Sequence, residues 1–347
     1  MSYLSGKPRL LWQLPMLMLL AAAAQAQSRY DITAVRGPSG NISAIALNNS
    51  GQIAGAMPTG GLGQAVLYDR GNVTLLGTLG GPYSSGQDLN ERGDVVGQSD
   101  NSARDTRAFL YADGSMRDIG TLGGSSADAQ GINNAGQITG SSTTSNNLQH
   151  AYRYTRGVMT DLGTLGGDFS YGLDINARGD VVGVSSIDTA FTVHAFLHDG
   201  NRMRDLGTLG GLYSVAFAIN NPGHVVGFSD TAGSGAHAFF YANGVMQDLG
   251  TLGGTFSIAQ GINNQDQIVG ASLLADPNAP SHGFIYSGGS MRDLNSLIDP
   301  ASGWVIENAW DINDRRQILA FGCRGGDCTA LLLSPVSSGD DEPRRAD

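Results

Sequence analysis

The sequence predicts an all-β fold, a seven-bladed β-propeller of four-stranded antiparallel blades. The prediction rests on a unit that recurs at a nearly fixed period, on four short strand patterns within each copy, and on a strand count that is complete only if the chain ends meet. Gly-Thr-Leu-Gly-Gly begins at Gly77, Gly120, Gly163, Gly207 and Gly250, at spacings of 43, 43, 44 and 43. An apolar residue followed by Asn recurs seven times, at Asn48, Asn90, Asn133, Asn176, Asn220, Asn263 and Asn313. Seven positions later stands Gly55, Gly97, Gly140, Gly183, Gly227 or Gly270, with Ala320 in the last copy.

Residues 237–272 form a clean copy. Ala238 to Tyr241 is an apolar, aromatic first strand, and Asn243-Gly244 is a hairpin turn because both residues tolerate positive φ. The second strand, Val245 to Leu252, is broken by Gly253-Gly254. The third runs from Ser257 to Ile262, a turn follows at Asn263 to Asp266, and Gln267 to Ser272 is the fourth. Nothing in the unit has helical period. First strands begin near Ala65, Ala108, Ala151, Ala195, Ala238, Gly283 and Ala330. Second strands begin near Tyr30, Asn72, Ser115, Val158, Arg202, Val245 and Ser290. The repeat therefore opens on a second strand and closes on a first, Thr329 to Leu333, which is expected to pair with residues 30–55. The alternative is an open β-solenoid of the same repeats, which would leave unpaired edges and want atypical capping copies.

The domain boundaries follow: 1–26 signal peptide, 27–335 a single repeat domain, 336–347 a polar disordered tail. Lys7 and Arg9 precede an apolar run from Leu10 to Ala24, and Ala24-Gln25-Ala26 suits signal peptidase, with cleavage between Ala26 and Gln27. The run falls short of the ~20 residues that span a bilayer. An exported protein, extracellular or periplasmic, with no membrane span in the mature chain is expected. Cys323 and Cys328, the only cysteines, are expected to form a disulfide in that oxidising setting. Gly, 51 of 347 residues, is about double its ~7% norm, but without a three-residue period, which excludes collagen. The net charge of −11, more negative still without Lys7 and Arg9, argues against nucleic acid as a partner. Lys7 is the only lysine, so the mature chain has none for Schiff-base or P-loop chemistry.

The heads His194 to Phe196 and His237 to Phe239, with Asp-Leu-Gly-Thr-Leu-Gly-Gly and Ile-Asn, resemble the HAF-type extracellular repeat. The resemblance covers roughly residues 30–335 and implies an exported bacterial repeat protein; it implies no activity. The first copy lacks Gly-Thr-Leu-Gly-Gly, and the last replaces it with Asn295 to Ile298 and an insertion through Trp304.

Several residues are candidates for chemistry. His150 and Asp161, His194 and Asp205, His237 and Asp248, and His282 and Asp293 share a separation of 11, as do Arg107 and Asp118. Such pairs fix a hairpin, and a feature repeated around a ring is read as scaffold rather than as a metal or catalytic site. Tyr83, Phe169, Tyr213 and Phe256 follow the double glycine, on a rim or between blades, and with Trp304 and Trp310 are candidate ligand-binding aromatics. Asp88, Asp174 and Asp311 stand where other copies carry Ala46, Gly131, Ala218 and Gly261, and would hold Ca²⁺, the one cofactor considered, if they met in the channel. No nucleophile elbow, zinc-protease helix, dinucleotide loop or EF-hand loop is present. The function expected is an exported binding or scaffold propeller whose ligand is extracellular glycan or protein. The alternative is a carboxylate-dependent glycosidase or lyase acting on extracellular polysaccharide through Asp88, Asp174 and Glu307.

Overall fold

A computed structural model describes residues 30–38, 40–60, 62–190, 192–233 and 235–336. The expected leader, its expected cleavage point between Ala26 and Gln27, and all but Val336 of the expected tail lie outside the described residues. Among the described residues, apart from two 3₁₀ turns, Leu294–Ser296 and Pro300–Ser302, every regular element is a β-strand.

The sheets are antiparallel meanders arranged as a β-propeller of four-stranded blades. One blade runs Gly80–Leu89, Val95–Asn101, Thr106–Ala112 and Ser115–Asp118 in order across the sheet. Each blade thus starts on the third strand of the sequence unit and ends on the second strand of the next copy. Gly-Thr-Leu-Gly-Gly is the crossing from the outer edge of one blade to the inner strand of the following one. A buried serine secures the crossing: Ser170 Oγ donates to the Gly163 carbonyl at 2.6 Å and accepts from the Ala151 amide of the preceding blade at 2.8 Å.

The two ends of the described repeat meet. Tyr30–Gly37 pairs with Asp327–Pro335, in the register Tyr30 with Pro335, Ile32 with Leu333 and Val35 with Ala330. The N-terminal strand is therefore the outer strand of the blade that carries the C-terminus, and the open solenoid is overturned. The blade count is corrected. Five sheets are single blades, four of four strands and one of five, and the other eight strands form one sheet. Within that sheet two meanders, starting at Gly210–Ile219 and Gly253–Ile262, are fused by a parallel bridge between Ala236 and Phe256. The approach is close because Gly235 has φ of +140°, and a Cβ there would lie 2.4 Å from the Thr255 carbonyl oxygen.

The core lies between blades. Val96, Ala108, Leu110 and Ile119 of one blade pack against Ala127, Ala129, Ile138 and Tyr152 of the next. Phe109, Phe196, Phe239 and Phe284 are wholly buried. Each inner strand carries a β-bulge, as between Gly86 and Asp88, which brings its carbonyl against the neighbouring strand. A Cβ on Gly97 would lie 2.0 Å from the Ser85 carbonyl oxygen, and one on Gly183 1.9 Å from that of Tyr171. In the last blade the repeat carries Ala320, paired with Ala309.

Candidate functional site

The recurring asparagines lock one end of the channel. The Oδ1 of Asn48 accepts the amides of Ser50 and Gln52, each at 3.0 Å, closing the turn after the inner strand. Its Nδ2 donates to the Asn90 carbonyl of the next blade at 3.0 Å. The same step runs from Asn133 to Asn176, Asn176 to Asn220, Asn220 to Asn263 and Asn263 to Asn313, and Asn313 returns to Asn48 at 3.0 Å. Asn90 Nδ2 donates to Asp94 at 2.8 Å, the within-turn bond that Asn48, Asn133, Asn176, Asn263 and Asn313 also make four residues on. These amides are buried, so the landmark is structural.

Beyond this collar lies a cavity of about 660 Å³. Its wall includes the residue at the bulge of every inner strand: Ile45, Gln87, Gln130, Leu173, Phe217, Gln260 and Trp310. Asp88, Asp174 and Asp311 also line it, with Phe321 and Cys328 on the closing blade. Sequence reasoning passed over six of the seven bulge positions. The signal was present: three positions before each landmark asparagine stand Ile, Gln, Gln, Leu, Phe, Gln and Trp, a large side chain at the same place in every copy.

The bulge also explains the aspartates. It leaves inward backbone amides without a ladder partner, and each carboxylate takes two. Asp88 accepts from Leu89 and, across the blade boundary, from Ile132, both at 2.7 Å. Asp174 accepts from Ile175 at 2.6 Å and Ile219 at 2.8 Å, and Asp311 from Ile312 at 2.7 Å and Leu47 at 2.8 Å. One carboxylate serves its own blade and the next, so these aspartates never occupy adjacent blades. The blades that follow carry Gly131, Ala218 and Ala46 at this position. The three do not assemble an ion site: among the described residues no group of three or more His, Cys, Asp or Glu is placed to hold a metal. The oxygens of each aspartate are drawn to backbone amides of a separate blade pair. Burial pushes all three above the ordinary carboxylate range, Asp88 well above it, Asp174 to about 6 and Asp311 to about 7. The charges of Asp174 and Asp311 add to the rise at Asp88, so the three sense one another across the channel.

The paired residues sit on outer hairpins. His150 Nδ1 lies 2.8 Å from Asp161, His194 2.8 Å from Asp205, His237 2.9 Å from Asp248, and His282 2.6 Å from Asp293; Arg107 Nε donates to Asp118 at 2.9 Å. The same aspartates cap the following turn, as where Asp161 accepts the Gly163 amide.

Of the aromatics singled out, only Trp310 lines the cavity, its ring 5.9 Å from that of Phe321. Tyr83, Phe169, Tyr213 and Phe256 are outside it. Tyr83 lies against Gly63, Phe169 is 5.6 Å from Tyr171, Phe256 is 6.2 Å from Phe228, and Tyr213 is exposed. Trp304 is buried in the core of the closing blade beneath the Arg324 guanidinium, 4.7 Å away. Glu307 does not line the cavity, so the expected trio Asp88, Asp174 and Glu307 is not brought together there. Cys323 and Cys328 are bonded across a hairpin of the closing blade.

No family model matches the chain, and no curated protein matches it. Solved structures do. A puromycin-hydrolyzing peptidase from Mycobacterium tuberculosis aligns at a TM-score of 0.57 and 12% identity, over 90% of this chain and 52% of that one. The β-propeller domain of the trilobed protease from Pyrococcus furiosus, which has an open velcro topology, aligns at 0.52 and 9% identity, over 76% and 87%. TolB from Acinetobacter baumannii aligns at 0.46 and 12% identity, over 82% and 64%. The chain thus spans about two-thirds or less of the TolB and peptidase chains. At these identities the likeness is one of fold. No helix among the described residues is long and apolar enough to cross a membrane.

Proposed function

We propose that the protein is an exported binding module of the HAF-repeat type whose ligand, an extracellular saccharide, sits in the channel cavity. In this reading the eight-stranded sheet counts as two blades, so that seven copies of one unit surround the site. The observation that carries the proposal is the composition of the bulge ring. Its members combine the Trp310 and Phe217 rings with the amides of Gln87, Gln130 and Gln260 in a space of ligand size. Flat apolar faces flanked by planar amides and carboxylates suit a sugar ring, which offers C–H faces and a hydroxyl edge. The leader and the cysteine pair support export.

A glycan array probed with the protein and with Trp310→Ala tests this. Binding by the parent and loss of it in a variant that melts at a similar temperature is expected; equal binding by both refutes the channel as the site. Hydrolysis is the second reading, favoured by Asp174 at about 6 and Asp311 at about 7, the range of a general acid. Shortened products from an oligosaccharide that binds would select it.

A further inference from the structure

We propose that the protein has a second ligand site, apart from the channel, for a sugar acid, a single carboxylate on a sugar-sized ring. The site is a groove of about 850 Å³ between the blade that ends on Ser115–Asp118 and the one that ends on Val158–Asp161. The inference does not rest on the channel reading. Arg117 lines the groove from the outer strand of the first blade and Arg156 from a hairpin turn of the second. Neither forms a hydrogen bond or an ion pair among the described residues. Arg36, Arg107, Arg178 and Arg204, by contrast, each hold an aspartate. Elsewhere in the ring the same two positions carry at most one arginine, as in Thr74 with Asp113 or Arg204 with Asn243. The hairpin itself has no need of Arg156, since Asn243 and Gly288 make the same two-residue turn.

A separate observation sets this boundary apart. Among the described residues Asn90 does not reach the Asn133 carbonyl, the step that the other six landmark asparagines make. Arg92 spans the boundary, donating from Nη1 to the Asn134 carbonyl at 2.5 Å and from Nε to Asp94 at 3.0 Å, so a third guanidinium is fixed on the groove wall before any ligand arrives. Three properties then select the ligand. A guanidinium fork meets the two oxygens of a carboxylate with parallel hydrogen bonds. Arg92, Arg117 and Arg156 against Asp94 and Asp113 leave the groove one positive charge in a chain of net charge −11, which a monoanion neutralises and a phosphate dianion exceeds. The half-buried Tyr111 and Tyr154, one from each blade, offer ring faces and hydroxyls to the C–H face and hydroxyl edge of a sugar.

The test is a ligand-observed NMR titration of the full chain at pH 7.5 and constant ionic strength with glucuronate, glucose, glucose 6-phosphate and cyclohexanecarboxylate. Glucuronate is expected to bind at least about tenfold more tightly than the other three, the ratio that one charge-assisted hydrogen bond supplies. Arg117→Gln and Arg156→Gln, both at exposed positions, are each expected to weaken glucuronate by about fivefold or more at an unchanged melting temperature. Glucose binding as tightly as glucuronate overturns the acid requirement, glucose 6-phosphate binding as tightly overturns the charge match, and cyclohexanecarboxylate binding as tightly overturns the sugar ring. Glucuronate affinity unchanged in both variants overturns the groove as the site. No binding of glucuronate up to about 10 mM overturns the proposal, and the glycan array decides the channel reading independently.

Discussion

Asp311→Ala exposes two opposed effects whose balance shifts with pH. In the native protein the carboxylate accepts the Ile312 amide at 2.7 Å and the Leu47 amide at 2.8 Å, the latter across the seam where the ring closes. Removing it strands both donors at a part-buried site, at a cost of about 1–3 kcal/mol each. Burial, however, lifts the group to about 7, some three units above its ordinary value of 3.8. A carboxylate whose folded value is raised stabilises the fold fully below about pH 4. That contribution is lost as pH rises through the folded value, because the folded state must then carry a buried charge. Between pH 5 and 8 the folded state holds about one more proton than the unfolded state over some two units, or about 3 kcal/mol. The variant cannot make this loss. Urea denaturation of parent and variant at pH 5 and pH 8 is expected to show the variant less stable at pH 5, with the gap narrowed by about 2–3 kcal/mol at pH 8. A gap that is constant or widens with pH would refute the reasoning, since the two amides would then hold Asp311 ionised throughout.

Gly183→Ala places a Cβ 1.9 Å from the Tyr171 carbonyl oxygen, so the bulge must open; a loss above about 3 kcal/mol or failure to fold is expected by chemical denaturation, against about 1 kcal/mol or less for Ala320→Gly. His237→Ala removes a pair whose Asp248 partner is 44% exposed, so calorimetry should record a melting temperature lower by about 2 °C or less; a larger drop would assign that hairpin a greater share of the stability.

Much of this was legible in the amino-acid order. The spacing of Gly-Thr-Leu-Gly-Gly and of the seven asparagines fixes a repeated unit; Asn243-Gly244 and its equivalents fix hairpins; alternation without helical period fixes strands. That Thr329 to Leu333 pairs within residues 30–55 also followed, because a repeat that opens on one strand type and closes on the preceding one has complementary ends; the register, residues 30–35 with 330–335, came from the structure. The separation of 11 between His237 and Asp248 sufficed to place them across one hairpin.

The division into blades did not follow, because a repeat can be cut at any strand and local spacing is the same for every cut; only the sheet boundaries set it. Single residues of contact decide whether neighbouring meanders remain separate, as at Gly235, where Ala236 and Phe256 join two into one sheet. The faces of the inner strand were hidden for a related reason. Strand side chains alternate with a period of two, so one extra residue at a bulge exchanges the faces beyond it. That shift turned Gln87, Gln130 and Gln260 into the channel and gave Asp88, Asp174 and Asp311 the backbone amides of two blades. Composition and periodicity determined what each copy is. Which of its residues look inward was decided by the packing of one copy on the next.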